Sequence, residues 1–164
     1  MIRDSSPVHR RVDLDRVEAL RLLDSVSLGR IVFTRQALPA VRPVSHVLDG
    51  GDIVIRTHEG AALTAHPQQA GDEGVVVAYE ADAIDPDTHL GWSVVVTGCA
   101  RLVTDPADLA RVRALLAPWA PQEGVDHAVR IRPWLVTGVL LTGTPAVPAK
   151  GSARPAPRTP GSYR

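Results

Sequence analysis

The sequence has one cysteine, one lysine, no surplus of either charge and no long apolar run. Each shortage excludes something. A lone thiol, Cys99, rules out an internal disulfide and suits a reducing compartment, so a cytoplasmic location is expected. Eighteen acidic and eighteen basic residues cancel. A general nucleic-acid binder needs a basic surplus to replace phosphate counterions, so no nucleic acid is expected as a partner. No apolar stretch approaches the roughly 20 residues that span a bilayer, and no membrane is expected either. The opening MIRDSSPVHRRVDLD has no apolar core behind its charges and does not read as a secretory signal. There is no phosphate-binding glycine loop, no GxSxG elbow and no HExxH pair.

The remaining polar candidates are bland. Histidines stand at positions 9, 46, 58, 66, 89 and 127. His58 and His66 lie eight apart, which matches no usual metal-ligand spacing, so no metal is expected. Cys99 sits mid-strand between small apolar neighbours and reads as a packed thiol. The acidic stretch EADAIDPD reads as a solvated loop rather than an acid–base pair. No side chain stands out as catalytic.

What is present points to one domain. The chain has 164 residues, 45% apolar and 22% charged, enough to bury a core without staples. Residues 1–12 read as a flexible leader and 13–142 as the body. Residues 143–164, dense in Pro, Gly, Ser and Ala, read as a disordered tail.

Within the body, Asp13 or Asp15 can cap a first helix, and Asp15 with Glu18 fits a capping box. Leu14, Val17, Leu20 and Leu23 recur at helical spacing, and Gly29 is a plausible stop. The strand RIVFTR follows. AVRPVSHVL and DIVIRT then flank Asp49-Gly50-Gly51, a strong hairpin signal because tight hairpin turns need positive φ. GVVVAYEAD and WSVVVTGCARLVT are strands, the second expected to bend at Gly98. Asp105 as cap, Pro106 at the first helical position and Leu109, Val112 and Leu116 on one face make a second helix. VRIRP and LVTGVLLTG read as closing strands. About six strands in hairpin-linked order predict a mostly β fold, an antiparallel barrel with peripheral helices.

Pro43 is the informative oddity. It lies inside RPVSHVL, and proline cannot donate to a ladder, so this stretch should be an edge or a bulge. On the next strand Arg56 faces away from Ile53 and Ile55. An arginine and the Thr57 hydroxyl at a strand end could hold a phosphate.

The order of GRIVFT, PAVRPVSHVLDGGDIVIRTHEG, VVVAYEAD and GWSVVVTGCARLV resembles the pyridoxamine 5′-phosphate oxidase-like, FMN-binding split-barrel family, in particular its short bacterial branch. The resemblance runs from about Leu14 to Leu141. It implies a six-stranded antiparallel split β-barrel that forms a homodimer, with one FMN in each of two clefts between subunits. By the same resemblance Arg42, Pro43, Val44 and Ser45 meet the flavin ring, and Arg56 and Thr57 meet the phosphate. Trp92 and Ser93 approach from the other subunit. The open flavin face, lined by His46 and Trp92, would receive a small-molecule redox substrate. Three readings follow: an FMN-dependent oxidoreductase, an F420-dependent reductase, or a protein that binds a flavin or another cofactor without turnover. One departure bears on all three. Such families usually carry a basic residue in the short helical turn after the phosphate-binding strand, where this sequence has Gly60-Ala61-Ala62-Leu63. A missing charge-assisted contact costs about 1.5–3 kcal/mol.

Overall fold

A computed structural model describes residues 9–57, 74–116 and 127–143. Seven strands and two helices make up these residues. They are β1 (Arg10–Leu14), α1 (Arg16–Asp24), β2 (Leu28–Arg35), β3 (Leu38–Asp49), β4 (Asp52–Thr57), β5 (Val75–Ile84), β6 (Gly91–Leu102), α2 (Pro106–Leu115) and β7 (His127–Thr142). Every pairing is antiparallel. The order β7-β4-β3-β2-β5-β6 closes on itself through a β6–β7 ladder, which gives the expected six-stranded split barrel. β1 adds to β7 as a seventh strand outside the ring.

Alternation along the strands decides which face is inside. Ile31, Phe33, Val44, Ile53, Ile55, Val77, Tyr79, Val94, Val96, Val129 and Ile131 fill the barrel, joined by Ala19 and Leu23 of α1. α1 packs on β6 and β7. It begins where Asp15 accepts from the Glu18 amide at 2.8 Å, as the capping signal required. α2 starts in the same way, with the Asp105 carboxylate accepting from the Asp108 amide. It lays Val112 and Leu109 on a second apolar cluster with Val54 and Ala128, outside the barrel. Arg111 bridges Asp49 and Asp108, and Arg130 pairs with both from β7, tying α2 to the β3–β4 hairpin.

The hairpin itself turns on Gly50 and Gly51 at φ of 62° and 89°. β6 bends at Gly98, where the β6–β7 register slips. Thr97 pairs with Leu135 and Gly98 with Pro133, so Trp134 is the extra residue of a bulge. A side chain at Gly98 would meet the Arg132 carbonyl, which is why the bend needs glycine.

Several expectations need correction. Arg10–Leu14, whose first residues were assigned to the leader, pair with β7 from Gly138 to Thr142. Gly29 does not stop α1. The helix ends at Asp24 with Ser25 as cap, and Gly29 lies inside β2, pressed against the Tyr79 hydroxyl. Leu23 of the expected stripe is fully buried, but Val17 is 78% exposed and Ala19 is buried in its place. VRIRP and LVTGVLLTG are one strand, because the bulge lets β7 continue past Pro133. Glu80 and Asp82 belong to β5, and only from Asp85 does the acidic stretch form a turn, in which the Asp85 carboxylate accepts from Asp87 and Thr88. Residues 58–73, with His58, His66 and the 60–63 turn, lie outside the described residues, as do 1–8 and 144–164. No helix among the described residues is long and apolar enough to cross a membrane.

Candidate functional site

β3 changes neighbours along its length. Residues 38–45 ladder with β2, and only residues 46–49 ladder with β4. Pro43 therefore lies where β3 has one partner strand among the described residues, as its missing N–H required. Here Pro43 faces Arg30 of β2 across the ladder. A cleft of about 430 Å³ opens beside it, walled by residues 25–29, Arg30, Pro43 and Asp82.

The charged lining of this cleft, Arg30 and Asp82, belongs to a small ion-pair cluster with Glu80. The Arg30 guanidinium donates to Glu80 at 3.0 Å and to Asp82 at 3.1 Å. Burial raises the Glu80 carboxyl above the ordinary glutamate range, with Arg30 pulling the other way and Asp82 adding to the rise. The two acids raise Arg30 in turn. Sequence reading missed this cluster, although Arg30 and Glu80 occupy the outward positions of their strands and the alternation alone places them on the same face.

The expected site residues divide by face. Pro43, Ser45 and Arg56 occupy outward positions on β3 and β4. Val44 faces inward and is 3% exposed, and Arg42 pairs with Ile31 while donating to the Val41 carbonyl. The Arg56 guanidinium donates to the Leu116 carbonyl at 2.7 Å, at the end of α2. Thr57 is buried beside it in sequence. Trp92 points into the barrel core at 8% exposure, whereas Ser93 points out and pairs with Asp82. Ser93 lines a second hollow of about 290 Å³ with Val95, Val139 and Arg11. Ser93 and Pro43 thus share one outer surface, but β5 and β2 lie between their strands, a span of ~14 Å at the usual strand spacing. One protomer does not bring them together.

His46 and Trp92 do not line an open face. His46 is 2% exposed, its Nδ1 against the Tyr79 hydroxyl at 2.7 Å and its Nε2 against the Leu23 carbonyl at 2.9 Å. Burial lowers its pKa below 6.5 against the opposing pull of the Leu23 carbonyl and Asp24. Alternation along β3 does put His46 inward, next to Val44, and that was the signal to heed.

Known proteins share both the sequence and this architecture. The pyridoxamine 5′-phosphate oxidase family profile matches residues 15–139. An uncharacterized protein of Mycobacterium tuberculosis is 48% identical over 148 residues, covering 89% of this chain and 97% of its own. A Corynebacterium glutamicum protein described as a candidate pyridoxamine 5′-phosphate oxidase has a solved structure that superposes with a TM-score of 0.65. It is 34% identical and covers 82% of this chain and 100% of its own. The structure of an FAD binding protein from Mycobacterium smegmatis, 32% identical, superposes at 0.60 over 80% of this chain and 99% of its own. The chain belongs to the pyridoxamine 5′-phosphate oxidase family.

Proposed function

We propose that the chain is a flavin-dependent oxidoreductase acting on a small-molecule redox substrate, and that it works as a homodimer. The open edge of β3 carries the reading. Over residues 38–45 the described structure ladders this strand on one side only. Main-chain groups on the other side can meet the donors and acceptors along the edge of a flavin ring, and Pro43 discourages another strand from taking that place. The residues present fit the group. Arg42, Pro43, Val44 and Ser45 would line the ring, Pro43 and Ser45 with main-chain groups on the open side, and Val44 from behind, since its side chain is buried and its main chain ladders with Gly29. Arg56 and Thr57 would meet the phosphate end. Ser93 would approach from the second subunit by its outward hydroxyl, with Trp92 supporting that position from the barrel core. The flavin supplies two-electron transfer, while the chain binds and orients it and limits access of water.

FMN is the form this reading favours. The 32% identical relative described as an FAD binding protein supports FAD as a second reading. Purification without added cofactor, followed by a visible spectrum and mass spectrometry of whatever heat releases, tests both. A yellow protein releasing FMN is expected. Release of FAD selects the second reading, and release of F420 replaces flavin with a deazaflavin. A colourless protein that takes up none of the three overturns the function. Light scattering should give twice the chain mass, and a monomer with cofactor still bound would overturn the dimer.

A further inference from the structure

We propose that α2 is a clamp that holds Arg56 in place for the phosphate of the cofactor, and that the ion-pair cluster of Asp49, Arg111 and Arg130 keeps the clamp closed. The assignment rests on the reading of Arg56 as the phosphate contact. It adds positioning residues that act through Arg56.

Three observations carry it. The first is the contact at the helix end. The last carbonyls of a helix have no partner within it and carry the negative end of its dipole, so they attract a cation. The Leu116 carbonyl, at the end of α2, accepts from the Arg56 guanidinium at 2.7 Å. Leu116 is itself fixed, with its amide donating to Val112 at 2.9 Å and its side chain buried. A guanidinium carries its N–H donors in one plane, so a single carbonyl sets the direction of the fork without using it up.

The second observation is how lightly α2 is otherwise held. Val112 is the only buried residue between Pro106 and Leu115. Leu109 packs beside it on Val54 and Ala128, and Leu115 is 59% exposed. An element with so small an apolar contact belongs to the part of a fold that opens locally.

The third is the charge cluster that makes up the difference. Arg111 meets the Asp49 carboxylate with both arms, Nη1 to Oδ1 at 2.9 Å and Nη2 to Oδ2 at 2.8 Å. Arg130 donates to the same Oδ2 at 2.8 Å and to Asp108 of the helix at 3.2 Å. The two arginines hold the Asp49 carboxyl well below the usual carboxylate range. A lone exposed ion pair contributes little, but a two-armed contact shared with a second arginine is stronger. Asp49 ends β3 at the hairpin turn, and Arg56 stands near the far end of β4. One hairpin thus carries both the anchor of the clamp and the side chain that the clamp fixes. A long side chain ordered before the ligand arrives no longer costs that ordering on binding.

Fluorescence titration of the purified full-length chain with FMN, and with riboflavin, which lacks the phosphate, tests the clamp. Asp49→Asn should weaken FMN by about three- to ten-fold, the cost of ordering one long side chain on binding, and leave riboflavin unchanged. Arg111→Gln should do the same from a more exposed position, and serves if the first variant melts early. In an Arg56→Ala background neither substitution should weaken FMN further, since the clamp then has nothing to hold. By reciprocity FMN should slow hydrogen exchange in residues 106–116, and riboflavin should not. FMN binding unchanged by both substitutions would overturn the clamp alone. So would equal losses for FMN and riboflavin, losses that add to that of Arg56→Ala, or exchange that FMN leaves untouched. A parent chain that binds FMN no more tightly than riboflavin would overturn the phosphate reading of Arg56, and the clamp with it.

Discussion

The Tyr79 hydroxyl donates to Nδ1 of His46 at 2.7 Å, inside the barrel, and the two rings meet edge to face at 5.2 Å. The direction follows from the far side of the imidazole. Leu23 offers a carbonyl, which can only accept, so Nε2 carries the proton and Nδ1 is left as an acceptor. The pair joins β3 and β5 to the last turn of α1.

Tyr79→Phe should therefore leave Nδ1 of a buried imidazole without a donor. The expected cost is about 1–3 kcal/mol, read as a lower urea midpoint with an unchanged slope. A variant as stable as the parent would show that water replaces the hydroxyl.

Acid should weaken the fold through the same histidine. Burial lowers its pKa in the folded chain below 6.5. The unfolded chain then binds more protons between the two values, so stability rises with pH across that window. The contribution of His46 is complete above about pH 6.5 and is lost as pH falls towards the folded value. Urea titrations from pH 8 to pH 5 should show this slope, and His46→Gln should flatten it. The aspartates held low by arginines, Asp49 and Asp108, act at lower pH, below their ordinary value of 3.8.

Gly29 and Ala37 call for opposite substitutions. A Cβ at Gly29 would sit on the Tyr79 hydroxyl and 2.7 Å from the Glu80 carbonyl oxygen, so Gly29→Ala should cost about 1–3 kcal/mol. Gln36 and Ala37 form the β2–β3 turn with φ of 50° and 62°, where a side chain is disfavoured. Ala37→Gly should gain about 1 kcal/mol. Thermal melts of the two variants should move in opposite directions.

Arg56→Ala should lower stability as well as cofactor affinity. From the sequence alone this guanidinium served only a phosphate. In the fold it also holds the Leu116 carbonyl at the end of α2. A loss of about 1.5–3 kcal/mol is expected for a hydrogen bond to a charged group. A melt unchanged by the substitution would leave the arginine to the cofactor alone.

Much of the fold was legible where local chemistry is strong. Asp15, Asp105, Gly50, Gly51 and Gly98 each do what their spacing implied, and Pro43 lies where β3 has one partner strand among the described residues. The rest depended on contacts distant in sequence. The Gln36-Ala37 turn carries no glycine and left no signal. β1 is a short polar strand, RRVDL, whose pairing partner lies at the far end of the body. Gly29 looked like a helix stop because the Tyr79 ring that crowds it is fifty residues away. In the candidate site, the outward position of Arg56 could be read from alternation, but its carbonyl partner on α2 could not. His46 was misplaced because its role was taken from the resemblance, while its strand parity already turned it inward.

β7 serves three neighbours at once, β6 along one side and β4 then β1 along the other. During synthesis, the first strand waits for residues some 132 positions later before it has anything to pair with. The ring cannot close until His127–Thr142 has left the ribosome, and until then β4 and β6 expose unpaired edges. Such distant pairings slow folding, to milliseconds or longer in comparable topologies. The incomplete chain therefore exposes strand edges that the finished barrel hides, which is the stage at which edge-to-edge aggregation competes with folding.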